Sequence, residues 1–267
     1  MKIFLIGANG FLGSRIYREL TGSYNSIEKV KIRSIDDVNS FLDYLSSFEC
    51  EIQIINAGWC GVKAQNTSKE FENINYSIQT KLLESLSIKT VKRYINFGSY
   101  NEYGNLNGLL TEDLHLLNPI SEYAKVKYSI CKYGLMTNQS HKYLHLRISN
   151  IYGEGQINTS LYGTLKSYCL KQEKITLGAC DAFRDMLDIE EFVKSFKLIL
   201  KSNITGILNI GSGNTQQNRE FVLGVANNLK IPSSEIYFDD SRYEIKLMSD
   251  NYQLSIMKLN KLKLDFN

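Results

Sequence analysis

The chain has few of the residues that mark a disulfide-built or metal-bound protein. Its five cysteines (Cys50, Cys60, Cys131, Cys169 and Cys180) lie far apart and are odd in number, and no pair has metal-ligand or redox spacing. His115, His141 and His145, the only histidines, form no metal motif, so no metal is expected. Two prolines in 267 residues, with no low-complexity stretch and no internal repeat, argue against a flexible linker between modules. No apolar run reaches membrane-spanning length, and Met1 leads straight into a strand-like segment. The expectation is a reduced, soluble, cytoplasmic protein with no membrane partner. Excess charge is also missing: Lys+Arg number 31 against 28 Asp+Glu, and the basic residues are dispersed, which argues against nucleic acid as a partner.

What is present starts at residue 2. Lys2-Ile3-Phe4-Leu5-Ile6 is apolar without alternation, the pattern of a strand buried on both faces in a parallel sheet. Gly7, Gly10 and Gly13 follow, and Phe11, Leu12, Ile16 and Leu20 then recur at helical spacing. Strand, glycine turn and helix in that order can hold a dinucleotide pyrophosphate, because a helix start offers unpaired N–H groups and a partial positive charge. Side chains at Gly7 or Gly10 would hold phosphates off the backbone, and Gly13 would let the helix pack on the strand.

Further along, Lys29–Ile32 reads as a short strand and Asp36-Asp37 as the cap of a helix striped by Val38, Phe41, Leu42 and Leu45. Glu51–Ile55 reads as a strand ending in the small-residue turn Asn56-Ala57-Gly58. Glu70–Leu86 reads as a helix with Phe71, Ile74, Ile78 and Leu82 on one side, and Tyr94–Phe97 as a strand broken by Gly98. A helix over Ser121–Met136, strands at Tyr143–Ile148 and Gly206–Ile210, and a helix marked by Phe221, Val222, Val225 and Leu229 complete the pattern. Repeated strand–helix alternation gives an α/β fold, a Rossmann-type doubly wound parallel sheet. The expected division is a dinucleotide-binding domain over 1–150, to which 183–213 returns, and a smaller C-terminal substrate lobe built from 151–182 and 214–267.

Tyr-x-x-x-Lys occurs three times, at Tyr123/Lys127, Tyr128/Lys132 and Tyr162/Lys166. A four-residue step puts both side chains on one helix face. An ammonium one turn from a phenol favours the phenolate, and a shift from ~10 to ~7 requires about 4 kcal/mol of such preference. Position favours Tyr123, which alone follows a strand ending in a serine, Ser99, and precedes another strand. Tyr128 lies about 140° around the same helix.

These segments together resemble the extended branch of the short-chain dehydrogenase/reductase superfamily, the NAD-dependent epimerase/dehydratase family. Gly7-Ala8-Asn9-Gly10-Phe11-Leu12-Gly13 is similar to its Gly-x-x-Gly-x-x-Gly, and Gly98-Ser99-Tyr100-Asn101-Glu102-Tyr103-Gly104 to its Ser-(Ser/Thr)-x-x-Val-Tyr-Gly. Leu146-Arg147-Ile148-Ser149-Asn150-Ile151-Tyr152-Gly153, Phe183-Arg184-Asp185-Met186-Leu187-Asp188-Ile189 and Asn209-Ile210-Gly211-Ser212-Gly213 resemble further family segments in the family's order. The resemblance implies catalytic Ser99, Tyr123 and Lys127, with Lys127 holding the ribose and lowering the Tyr123 pKa. It implies a nucleotide-diphosphate sugar substrate contacted by Ser99, Tyr100, Asn150 and Arg184, where a guanidinium suits a diphosphate. Cofactor contacts would come from Gly7, Asn9, Gly10, Phe11, Leu12, Gly13, Arg33, Ser34, Asn56, Ala57, Gly58, Tyr123 and Lys127. Arg33-Ser34 after the second strand lean to NADP(H); a longer strand reaching Asp36 would favour NAD(H).

Departures from the family narrow the chemistry. Tyr100 and Asn101 stand where 4,6-dehydratases carry an Asp-Glu pair, which leaves no acid–base pair for elimination. No histidine lies beyond His145 to serve a C3/C5 epimerase, and Cys169 is a loose alternative at best. The compressed 21–50 region resembles that of 4-ketohexose reductases. The resemblance thus implies an NADP(H)-dependent 4-keto-6-deoxyhexose reductase. A 4-epimerase with retained NAD and a non-catalytic dinucleotide sensor are the alternatives. Family members often dimerise through the helices at Glu70–Leu86 and Ser121–Met136.

Overall fold

The computed structural model describes residues 1–23, 26–61, 69–114, 117–156, 160–241 and 251–265. Its first half runs β1 (Lys2–Ile6), α1 (Phe11–Thr21), β2 (Ile27–Val30), α2 (Ile35–Ser46), β3 (Ile52–Asn56), α3 (Lys69–Leu82) and β4 (Val91–Phe97). A short β5 (Gly108–Leu110) precedes α4 (Glu122–Met136), β6 (Tyr143–Ile148), β7 (Asn150–Tyr152), α5 (Leu161–Lys171) and β8 (Ile175–Gly178). Then come β9 (Phe183–Arg184), β10 (Met186–Asp188), α6 (Ile189–Lys201), β11 (Gly206–Ile210) and β12 (Gln216–Gln217). The chain closes with α7 (Asn218–Asn228), β13 (Ile236–Asp239), β14 (Tyr252–Leu254) and α8 (Met257–Asp265).

Six strands form one parallel sheet in the order β11-β6-β4-β3-β1-β2. This is the Rossmann-type α/β sheet expected from the alternation. Strand order reverses between β1 and β3, and the loops leaving those two strands face each other across the switch point, where such sheets take ligands. One helix alone, α2, joins β2 to β3, so β2 is an edge strand. Among the described residues, eight further strands pair two by two outside the sheet.

Each face of the sheet is sealed by its own apolar cluster. Ile3, Leu5, Ile55, Leu144 and Leu208 pack with Ile16 and Leu20 of α1, Phe192 and Phe196 of α6 and Leu259 of α8. Phe4, Ile6, Ile54 and Tyr94 pack on the other side with Val38, Phe41 and Leu45 of α2, Ile78 and Leu82 of α3, and Ile130 of α4. A third cluster joins Leu165, Ile175 and Leu177 to Phe221, Val222 and Ile236. Among the described residues no helix is long and apolar enough to cross a membrane.

Three local expectations need correction. The second strand is Ile27–Val30 rather than Lys29–Ile32, because Ile27 pairs with Ile3 and Val30 with Ile6 in register with the start of β1. The cap of α2 is Ser34, whose hydroxyl accepts from the Asp37 N–H while Asp37 returns a bond to the Ser34 N–H; two reciprocal bonds outcompete a lone Asp36. Helix α3 buries Glu72, Asn75 and Gln79 beside Ile78 and Leu82, whereas Ile74 is exposed. Ile78 and Leu82 of the expected stripe do face the core, but Ile74 does not, because the inner face of α3 there gives Asn75 and Gln79 to the end of β3 and its loop.

A methyl group at Gly13 would lie 2.1 Å from the Gly7 carbonyl oxygen, while one at Gly10 would meet only that oxygen, at 3.4 Å. Gly13→Ala should therefore lose about 1–3 kcal/mol of stability, and Gly10→Ala only the roughly 0.5–1 kcal/mol that a poorer N-cap costs. Urea denaturation of the two variants checks this.

Candidate active site

The dinucleotide cradle is made by β1, its loop and α1. Gly7 has φ +80°, and a side chain there would run into the Gly58 nitrogen at 2.6 Å and the Ala57 carbonyl at 2.7 Å. Gly7 is therefore required as glycine by the contact of the β1 and β3 loops. Gly10 is the member that leaves room. It is the N-cap of α1, with no side-chain cap bond and no acidic residue in the first turn, so the orphan N–H groups face an opening that suits an anion. Asn9 and Gly10 are exposed, and Phe11 and Leu12 are half-buried beside them. These features fit a dinucleotide pyrophosphate.

Other expected cofactor residues behave differently. Asn56 is buried and bonds Gln79, Tyr94 and Asn96, while its oxygen accepts from the Gly58 N–H. It shapes the Ala57-Gly58 turn instead of reaching outward. The Ser34 hydroxyl is committed to capping α2, and Arg33 is exposed, with its N–H given to Asp37.

Ser99, Tyr123 and Lys127 come together as the spacing predicts. Ser99 ends β4's loop and Tyr123 opens α4 after the Ser121 cap, so the two hydroxyls meet in a hydrogen bond. Lys127 is buried and its Nζ donates to the Phe97 carbonyl at 2.6 Å. The electrostatics correct one expectation. Burial pushes the Tyr123 phenol up, the Ser99 bond pulls it down only partly, and the charges of Glu102 and Glu72 add to the rise. Lys127 is itself pushed down to about 8 by burial, against the pull of Glu102 and Glu72. Lys127 thus leaves Tyr123 a neutral acid in the protein alone.

Beneath Ser99 lies a buried charged layer that sequence reading missed. Glu102 Oε1 accepts from the Ser99 N–H at 2.8 Å and meets His145 Nε2 at 2.9 Å; its Oε2 accepts from Arg147 Nε at 3.1 Å. Burial opposes a charged Glu102, but His145, Arg147 and the Ser99 N–H outweigh it and hold the carboxyl at about 2. His145 loses charge affinity to burial yet is lifted to about 9 by Cys131 and Glu102. Glu102, Cys131 and His145 each bring one ligand-type atom within 4.8 Å of the others. Arg147 and Ser99 already occupy the carboxylate, however, and the guanidinium opposes a cation. His115 lies outside the described residues. One signal was available: Glu102 stands at a valine position of the resembled segment, and His145 interrupts the apolar run Tyr143–Ile148.

Three of the four expected substrate residues, Tyr100, Asn150 and Arg184, converge on Tyr252 of β14. Asn150 donates to its hydroxyl at 2.9 Å, the Arg184 guanidinium lies 5.9 Å from its ring centroid, and Tyr100 stacks on it at 4.5 Å and 11°. Tyr100 is thereby turned into an aromatic wall rather than an acid–base group. Cys169 lies on α5 with its thiol directed to Leu165 of the same helix.

The model of the NAD dependent epimerase/dehydratase family matches residues 3–211. The chain belongs to that family. Among its relatives, a putative UDP-glucose 4-epimerase of Methanocaldococcus jannaschii is 26% identical over 235 residues, covering 79% of this chain and 77% of the relative. The dTDP-glucose 4,6-dehydratase of Bacillus anthracis, solved with NAD, superposes with a TM-score of 0.81 at 19% identity over 98% of this chain and 90% of its own. The UDP-glucose 4-epimerase of Thermotoga maritima, solved with UDP-glucose, gives 0.80 at 18% identity, over 98% and 93%. At these identities the structural likeness is one of fold.

The buried Glu102–His145 pair makes stability depend on pH in two windows. His145 has its pKa raised from 6.5 to about 9, so its contribution is complete below about 6.5 and is lost as pH rises through 9. Glu102 has its pKa lowered to about 2, so its contribution is present above about 4.5 and fades as pH falls toward 2. The wild type should lose on the order of 3 kcal/mol between about pH 6 and pH 10 relative to His145→Gln, read by urea unfolding at each pH.

Proposed function

We propose that the protein is a reductase of a nucleotide-diphosphate 4-keto-6-deoxyhexose, acting at C4. The observation that carries this is the neutral Tyr123 phenol, bonded to Ser99, with no carboxylate at positions 100 and 101. Reduction of a ketone needs a proton donor from the outset, and a phenol held protonated by burial meets that need. Elimination needs an acid–base pair that Tyr100 and Asn101 do not provide.

The cradle at Gly10 and α1 would hold a reduced nicotinamide dinucleotide, which supplies the hydride when bound. Ser99 would hold the C4 oxygen through its hydroxyl, oriented by the Glu102 cap of its own N–H. Tyr123 would give its proton to that oxygen as the alcohol forms. Lys127 would bind the ribose hydroxyls and carry the positive charge that steadies the phenolate left behind. Asn150 and Arg184, with the Tyr100–Tyr252 wall, would take the diphosphate and sugar, under a lobe formed from 151–182 and 214–267. Exposed Arg33 after β2 supports NADP(H), whereas NAD in the solved relatives keeps NAD(H) in view. A cytoplasmic homodimer paired through α3 and α4 belongs to the same reading.

A second reading, a nucleotide-sugar 4-epimerase, is favoured by likeness to the M. jannaschii relative. It uses the same triad but must first remove a proton, which a raised phenol pKa disfavours. Purified protein with nucleotide-linked 4-ketohexoses should consume one reduced cofactor per sugar. Turnover of a 4-hydroxy sugar with no net cofactor consumption would establish the epimerase instead. Tyr123→Phe should retain at most a few per cent of the rate, since acid catalysis of this kind contributes ~10²–10⁴.

A further inference from the structure

The chain has a single tryptophan, Trp59, and it stands just past the Asn56-Ala57-Gly58 turn. Its ring meets Tyr123 edge-on, with centroids 5.3 Å apart at 76°. The Lys127 ammonium lies over its face, 3.8 Å from the centroid. The indole N–H donates to the carboxylate of Glu72 on α3. Glu72 is only 4% exposed, and its Oε2 has no hydrogen-bond partner among the described residues. A carboxylate so placed is costly unless charge of the other sign is near, and Lys127 is the cation that favours its charge.

We propose that Trp59, tethered by Glu72, is a positioning residue that keeps the Lys127 ammonium charged and pressed against the Phe97 carbonyl. The proposal rests on reading Tyr123 and Lys127 as the reactive pair. Burial strips water from the ammonium, and three groups replace it: the Phe97 carbonyl at 2.6 Å, the indole face and the Glu72 carboxylate. An ammonium over an indole is held by attraction to the ring's negative face, and more strongly where the ammonium has lost its water. The tether matters because a free indole could turn its edge, which is positive, toward the amine.

The charged and titratable groups facing Lys127 are Glu72 from α3, Glu102 from the turn after β4, and Tyr123 on its own helix. Glu122 adjoins Glu72. Cys60, next to Trp59 in the chain, has its thiol pushed by burial above the ordinary 9.0. Lys127, at about 8, is therefore the group expected to titrate against the indole in mildly alkaline solution.

Because Trp59 is the sole tryptophan, its emission reports this contact in the whole chain without added ligand. Between about pH 6.5 and about 9.5 the emission should shift with a midpoint near Lys127's own. The transition should persist in Tyr123→Phe and vanish in Lys127→Met. Lys127→Arg, which stays charged throughout, should abolish it too and serves if the Met variant does not fold. Glu72→Gln should move the midpoint to lower pH, since it removes a charge that favours the ammonium. In turnover, Trp59→Leu should lower kcat/KM roughly tenfold and draw its alkaline limb to lower pH, with Trp59→Phe recovering to within about threefold. A flat wild-type emission profile, a transition that survives in Lys127→Met and Lys127→Arg, or one lost in Tyr123→Phe overturns the proposal. The emission measurement needs no turnover, so inactivity toward nucleotide sugars would sink the reductase reading and leave this one decidable.

Discussion

A carboxylate with no access to water sits directly under the hydroxyl that would hold the substrate, and the surrounding structure answers to it. Glu102 is kept charged by Arg147 and His145, and it fixes the backbone of Ser99 through its capping bond. His145 in turn belongs to a polar row that crosses three adjacent strands. Asn56 is the register partner of Asn96, and Asn96 of His145. Hydrogen bonds run along that row from His145 through Asn96 and Asn56 to Gln79 of α3, which closes on the Gly58 carbonyl. A buried row of this kind is favourable only when every member is satisfied. It therefore ties the cofactor-side turn at Gly58 and the substrate-side turn at Ser99 into one rigid floor.

Above that floor the geometry separates two jobs often assigned to one lysine. Lys127 is held by the Phe97 carbonyl and the Trp59 face, and Tyr123 receives its hydrogen bond from Ser99's side of the site. Negative charge from Glu102 and Glu72 acts on both, raising the proton affinity of each. Tyr123 is thus biased toward holding its proton, which suits the direction of ketone reduction, whereas burial outweighs those charges at Lys127 and lowers its proton affinity. Bound positive charge on a cofactor ring would push the other way, and that difference is the physical distinction between a reductase and an epimerase built on the same triad.

The sheet and the triad were legible in sequence because their signals are local. Uninterrupted apolar runs such as Phe4-Leu5-Ile6 mark strands covered on both faces, and the Tyr123–Lys127 step is fixed by helix geometry alone. The strand, glycine turn and helix were legible too, but the contact that requires glycine at Gly7 was not: it is made with Ala57 and Gly58, fifty residues away, and only folding brings them together. Glu72, Trp59 and Tyr252 went unread for the same reason. Each has a meaning set by partners on other elements, and among the many polar residues of α3 nothing local marks Glu72 as the one that meets a partner. Glu102 and His145 did carry a signal, a charge where an aliphatic side chain is customary, but the signal became interpretable only when the two were seen as a pair.

Gly98 shows what such pairing implies for exchange of parts. An added methyl there would lie 2.2 Å from His145 Nε2 and 2.3 Å from Glu102 Oε1. The resembled motif has serine in this place and valine at the glutamate's. Transplanting that motif's serine alone would drive a wedge into the ion pair, and transplanting its valine alone would strand an imidazolium and a guanidinium without their counter-charge. Gly98 just past β4, Glu102 on the turn that follows and His145 on β6 are therefore interchangeable only as a set.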